Sequence, residues 1–258
     1  MLLNINKIKE ELSYCDYSSN IQKDILIVVH NQYDYIKNCI DSIFDNTKNF
    51  NIYIWNNNSD NKTSNYLEKI SKKNKNINLI NSNENVGFVI SNNKLAEISN
   101  SPYIILLNSD TEVRKYWDEV LVGYLEKNQE VGAIGYQGGI LNSDGLGVGV
   151  NYGYDINYVC GWCLCFSRKI YEQFGLFDEN IKFAYCEDSD FSLKLLKNNK
   201  KIYACYSKDL VFHYGNVTSN SVMKNNDFSK IIKNNLIYLK SKWGEFPKVS
   251  LQSGSFRV

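Results

Sequence analysis

From Asp24 onward the chain alternates between short apolar runs and amphipathic stretches. The runs Asp24–His30, Asn51–Trp55, Ile77–Ile80 and Tyr103–Leu107 are dominated by Ile, Val, Leu and aromatic residues and predict strands. Between them, Tyr33–Phe44, Thr63–Lys72 and Gly87–Ile98 repeat apolar residues at helical spacing. Strands alternating with helices of this length predict right-handed βαβ units, hence an α/β fold with a Rossmann-like, mostly parallel sheet flanked by helices. Upstream, Ile5, Ile8 and Leu12 recur at helical spacing and predict a short amphipathic helix packed on the body or on a partner.

After Val131 the rhythm breaks into a glycine-rich stretch, Gly132 to Gly153, suited to turns, short strands or a mobile loop. Helical patterning returns near Ser167–Phe174 and Asp188–Lys197, where Phe191 and Leu195 fall on one face. Short strands are predicted near Lys201–Cys205 and Leu210–His213, and a last helix over Asn226–Trp243. The chain therefore divides into an N-terminal extension (1–23), a regular α/β half (24–130), a smaller half of the same domain (131–244) and a tail (245–258).

Composition narrows the class. With 258 residues at 43% hydrophobic, the chain can bury the core of one large domain. A net charge of +1 leaves no electrostatic footprint for nucleic acid. No apolar run approaches the roughly 18 residues of a membrane span, and no signal-peptide pattern opens the chain, so a soluble, cytoplasmic protein is expected. Seven scattered cysteines in apolar surroundings fit reduced thiols. Cys160-Gly161-Trp162-Cys163-Leu164-Cys165 has a zinc-like spacing but lacks a second ligand pair.

The chemistry concentrates where apolar runs end. Tyr103–Leu107 feeds into Asn108-Ser109-Asp110-Thr111, and a carboxylate just beyond a strand end faces the crevice of an open α/β sheet. Asp110 is thus a candidate metal ligand, although the same residues also make an ordinary capping turn. Four further segments accompany it: Val29-His30-Asn31, Trp55-Asn56-Asn57-Asn58-Ser59-Asp60, Asn85-Val86-Gly87-Phe88 with Ser91-Asn92-Asn93, and Cys186-Glu187-Asp188-Ser189-Asp190. In this order they resemble the family-2 inverting glycosyltransferases of the GT-A fold, especially the bacterial branch that builds surface polysaccharides. The resemblance runs from about Asp24 to Trp243.

That resemblance implies a role for each position. Asn31 and Asn56 fall where strand ends hold base and ribose; Asn56 replaces a usual Asp, and the alternative for both is an Asx-turn. Asn85 and Gly87 open the third helix, with Asn92 or Asn93 facing the nucleotide and free helix N–H groups offered to a phosphate. Asn108-Ser109-Asp110 stands at the family's Asp-x-Asp motif, with Asp110 holding manganese or magnesium and Asn108 contacting ribose or sugar. His213 closes on the metal or diphosphate, with a core histidine as the alternative; His30 supports a strand end.

Glu187 and Asp188 match the acidic pair in which the Asp is the base, with Ser189 or Asp190 serving the helix cap. Gly161 and Trp162 line the acceptor side, where Trp162 stacks on a sugar or is a core residue. The implied donor is a UDP- or TDP-sugar in preference to a GDP-sugar, and the acceptor a glycan, glycolipid or protein. Association with the inner membrane face and a homo-oligomer stay open. A sugar-1-phosphate nucleotidyltransferase would carry a glycine-rich loop after the first strand, which Val29-His30-Asn31-Gln32-Tyr33 lacks. A catalytically inactive nucleotide- or glycan-binding module is the other alternative, favoured by the Asn residues at 56 and 108.

Overall fold

The apolar runs become four adjacent strands, from the middle to one edge, of a seven-stranded sheet in a computed structural model that describes residues 4–18, 20–215 and 226–249. Strands β1 (Lys23–Val29), β2 (Phe50–Asn57), β3 (Ile77–Ser82) and β4 (Tyr103–Leu107) are parallel, and β1 lies between β2 and β4. Successive side chains point to opposite faces, so Ile25, Ile27 and Val29 enter one apolar cluster while Leu26 enters the other. Burial on both faces is why β1 and β4 read as unbroken apolar runs, whereas the edge strand β3 is only partly buried. Helices α2 (Tyr33–Asn46), α3 (Asn61–Lys73) and α4 (Gly87–Ile98) make the crossovers. Because β2 and β4 flank β1 on opposite sides, sheet growth reverses there and opens a crevice at the strands' carboxyl ends.

Two central elements escaped the pattern reading. Helix α5 (Trp117–Lys127) carries Gly123 at its middle, and mid-helix glycine weakens the local helical signal. The glycine is required by packing, since a Cβ there would lie 2.2 Å from the carbonyl oxygen of Tyr14. Strand β10 (Cys163–Ser167) runs antiparallel between β4 and β6 (Val131–Gly135), sending Cys163 and Cys165 to one core and Leu164 and Phe166 to the other.

Within the glycine-rich stretch, β6 joins the main sheet, while β7 (Gly138–Leu141) pairs with β8 (Gly147–Asn151) and β9 (Tyr158–Val159). Strand β11 (Lys201–Ala204) closes the main sheet beside β6. Helices α6 (Arg168–Phe174), α7 (Glu187–Lys197) and α8 (Asn226–Trp243) follow the expected bounds closely, and Phe191 and Leu195 are fully buried.

Helix α1 (Ile5–Leu12) forms, but a different side chain fastens it. Ile5 and Leu12 remain exposed, whereas the Glu11 carboxylate is buried. It accepts hydrogen bonds from the Tyr203 hydroxyl at 3.0 Å and the N–H groups of Tyr206 and Ser207 at 2.8 and 2.9 Å. Three donors compensate the burial of the charge, which a hydrophobic-pattern reading does not register. Among the described residues no helix is long and apolar enough to cross a membrane.

Candidate active site

The crevice is a cavity of about 430 Å³, walled by His30, Asn57 and Asn108 at strand ends and by residues from the later half of the chain. Asp110, Gly161, Trp162, Glu187, Asp188 and His213 all face it.

Local pairing brings the candidate cation ligands Asp110 and His213 together. Strand β5 (Thr111–Val113) pairs antiparallel with β12 (Val211–His213) in a register that sets His213 opposite Thr111. The Asp110 carbonyl accepts the Tyr214 N–H at 3.0 Å, extending the ladder by one step. His213 Nε2 consequently lies 3.3 Å from Asp110 Oδ1, with Asn108 Nδ2 at 3.5 Å from the same nitrogen. The Trp162 ring stacks on the imidazole, centroids 4.7 Å apart and planes 15° from parallel, which fixes its orientation. One carboxylate and one imidazole suit a manganese or magnesium ion that takes its remaining oxygens from phosphate and water. Among the described residues no group of three or more His, Cys, Asp or Glu is arranged to hold a metal alone, so a cation here would depend on substrate oxygens.

The acidic pair is presented by a strained loop. Phe183, Tyr185 and Cys186 have φ of 67°, 72° and 75°, a region costly for side chains of this size. Asn235 of α8, buried, holds the loop: its Oδ1 accepts the Lys182 N–H at 2.9 Å, and its Nδ2 donates to the carbonyls of Lys182 and Ala184 at 2.8 and 3.0 Å. On the other side the Phe183 carbonyl accepts the N–H groups of Phe88 and Val89 at 2.6 and 3.1 Å. Gly87, at φ +84°, permits this approach, because a Cβ there would sit 2.6 Å from Phe183 Cα.

The two carboxyls have different surroundings. Asp188 Oδ2 accepts the Gly161 N–H at 3.0 Å and Oδ1 the Ser189 N–H at 2.7 Å. Among the described residues Glu187 Oε2 is buried with no hydrogen-bond partner. Burial, reinforced by the neighbouring Asp188 charge, pushes the Glu187 carboxyl up to about 8. Burial also raises Asp188, and its hydrogen bonds oppose that rise, so Asp188 is the better anion and Glu187 keeps the shared proton. The expected cap is absent: Cys186 occupies the N-cap position without a side-chain bond. The Asp190 carboxylate instead turns to Lys242 and the Trp243 indole N–H, both at 2.8 Å.

Four residues expected at the nucleotide lie away from the cavity wall. Asn56 is buried, donating to Ser64 Oγ at 3.0 Å and Asn81 Oδ1 at 2.9 Å and accepting the Ser59 N–H at 3.1 Å, which is the Asx-turn alternative. Asn31 secures the same turn, accepting the Asp60 N–H at 2.7 Å. Asn92 is buried and donates to the Phe88 carbonyl at 2.9 Å, and Asn93 is tied to Phe177. The start of α4 does not offer the free N–H groups expected of it either, because the Phe183 carbonyl takes two of them.

The wall position belongs to Asn57, which donates to Asn85 Oδ1 at 2.6 Å and accepts the Val86 N–H at 2.9 Å. Strand β2 extends two residues past Trp55, and neighbouring strand residues face opposite ways, so 57 reaches the cleft where 56 does not. Asn85, Gly87, Asn108 and Ser109 all line the cavity, and His30 supports the Asn57 strand end through Nδ1, 2.9 Å from its carbonyl oxygen.

Comparison with known proteins identifies the first part of this assembly: residues 24–147 match the family model described as Glycosyl transferase family 2. The matched segment contains Asn57, Asn85, Asn108 and Asp110, while Trp162, Glu187, Asp188 and His213 lie beyond it.

Over 112 residues the chain is 33% identical to an uncharacterized glycosyltransferase of Haemophilus influenzae, covering 43% of this chain and 35% of that protein. Over 105 residues it is 32% identical to a teichoic acid poly(glycerol phosphate) polymerase of Staphylococcus epidermidis, covering 40% of this chain and 14% of that one. The chain thus spans about a third of the first relative's length and less of the second's. Among solved structures it is similar to GalNAc-T7 with UDP, GalNAc and Mn2+, at a TM-score of 0.64 and 14% identity over 73% of this chain and 43% of that chain. It also resembles the mannosyltransferase PcManGT from Pyrobaculum calidifontis in complex with GDP-Man and Mn2+, at a TM-score of 0.60 and 12% identity over 92% and 79% of the two chains. The fold is GT-A.

Proposed function

We propose that this chain is an inverting, metal-dependent glycosyltransferase that moves a sugar from a nucleoside diphosphate donor to a hydroxyl acceptor. The observation that carries the reading is Asp110 meeting His213 at 3.3 Å in the cavity that also holds Asp188. The family-2 match, and the UDP and GDP-Man bound in similar structures, support it.

Asn57 and Asn85 shape the donor side, and Asn108 contacts ribose or sugar. Asp110 and His213 would hold manganese or magnesium, which when bound neutralises charge on the departing diphosphate. Asp188 takes the proton of the acceptor hydroxyl as its oxygen bonds to the anomeric carbon. The carbon–phosphate-oxygen bond breaks in the same displacement, and the diphosphate leaves with the electron pair. Glu187 stays protonated and keeps a second negative charge away from the incoming acceptor. A UDP- or TDP-sugar is the proposed donor, ahead of a GDP-sugar. The proposed setting is bacterial surface glycan synthesis, at or near the inner membrane face.

A thermal-shift screen of UDP-, GDP- and TDP-sugars with and without manganese tests the reading. A donor at 100 times its dissociation constant stabilises by about 2.7 kcal/mol. A manganese-dependent shift with one donor is expected; no shift with any of them would contradict the proposal. The inactive binding module is favoured by Asn108 standing where a first acid could be, and it predicts a shift without donor turnover.

A further inference from the structure

Resting on the glycosyltransferase reading, we infer that the acceptor is amphipathic: a glycolipid whose alkyl or isoprenoid chain lies in the same cavity as the acidic pair. Polar residues of the cavity wall include Asn57, Asn85, Asn108, Asp110 and His213. The wall also carries an apolar set. Helix α8 contributes Phe228, Ile232 and Leu236, three positions at four-residue intervals that form a single stripe along its cavity face. Other elements add Leu141, Leu146 and Phe183, the last packed edge-on against Phe228. Leu146 sits at the β7–β8 turn with 45% of its surface exposed, an apolar side chain left open at the cavity rim.

A purely saccharide acceptor needs a hydrogen-bonding partner for each hydroxyl it buries, since an unpaired buried hydroxyl is costly. The α8 stripe supplies none. Asn235, the polar residue beside the stripe, spends its amide on the Lys182–Ala184 loop. A wall of this chemistry favours methylene groups, and the carboxyls of Glu187 and Asp188 on the same cavity face a free hydroxyl of the sugar that carries the chain.

Isothermal titration of the whole protein with n-octyl β-D-glucopyranoside below its micelle concentration, against methyl β-D-glucopyranoside, tests this. The octyl compound should bind at least about tenfold more tightly, because burial of two or three methylenes is enough for that factor. Ile232→Asn and Leu236→Asn should each erase most of the preference, and Ile232→Val should keep it, with circular dichroism confirming the fold. Equal binding of the two glycosides, or a preference that survives both Asn variants, would overturn the inference. Parallel titrations with UDP, TDP and GDP, each with manganese, read the donor side alone: failure of all three counts against the glycosyltransferase reading, whereas absence of the octyl preference with nucleotide binding intact counts against the amphipathic acceptor.

Discussion

Asp188 and Gly161 meet through a 3.0 Å hydrogen bond from the glycine N–H to the carboxylate, tying the start of α7 to the turn before β10. The donor stabilises the anionic form of Asp188, while the buried Glu187 Oε2 beside it has no partner among the described residues. Asp188→Asn keeps the shape and removes the basicity. Turnover is expected to fall by roughly 10²–10⁴-fold with nucleotide affinity nearly unchanged. Steady-state kinetics with parallel nucleotide titrations check it, and near-normal turnover would remove Asp188 from the role of base.

Glu187 also sets a pH dependence of stability. Its carboxyl is raised to about 8 in the folded chain from an ordinary value of about 4.3. The folded state therefore binds a proton that the unfolded state has released across that interval, and stability falls as pH rises from about 4.3 to about 8. Thermal melts between pH 5 and 9 should show this loss in the wild type and a smaller one in Glu187→Gln. Each kcal/mol corresponds to about 2–4 °C for a chain of this size. Parallel curves for the two proteins would mean that Glu187 is ionised in the fold.

Asp110→Ala should abolish manganese-dependent nucleotide binding and leave the melting temperature within a few degrees, because the residue sits at a cavity wall rather than within an apolar cluster. His213→Ala should weaken manganese use less, since phosphate and water can fill the lost position. Nucleotide titrations across a manganese series distinguish the two. A His213→Ala protein that unfolds while its residual folded fraction binds normally would make the histidine a core residue.

Asn235→Ala should loosen the strained loop that carries the acidic pair. Removing the amide leaves the Lys182 and Ala184 carbonyls without that donor, and a buried unsatisfied group costs about 1–3 kcal/mol. Hydrogen exchange over residues 182–187 should accelerate while the β1–β4 core keeps its protection. Unchanged exchange would show that the Phe183 contacts to α4 suffice.

Much of the fold is legible in the sequence because β1, β2 and β4 are largely buried on both faces and the crossover helices are amphipathic. The termination of β2 is not. An apolar run ends at Trp55, yet pairing with β3 carries the strand on to Asn57, and those two residues decide which asparagine reaches the cleft. Asp110 and His213 are separately visible as strand-end residues, but their meeting depends on the β5–β12 register, a long-range pairing with no local signal. Asn235 is equally silent, one asparagine in a polar stretch of helix. Glu11 looks like an exposed helical glutamate until Tyr203, Tyr206 and Ser207 supply its donors.

The anomeric configuration of the transferred sugar tests the central claim most directly. With Asp188 as base and no covalent intermediate, a single displacement inverts the anomeric centre. NMR coupling constants of the glycoside formed from the first donor that the protein turns over should show a configuration opposite to the donor's. Retention would contradict the account.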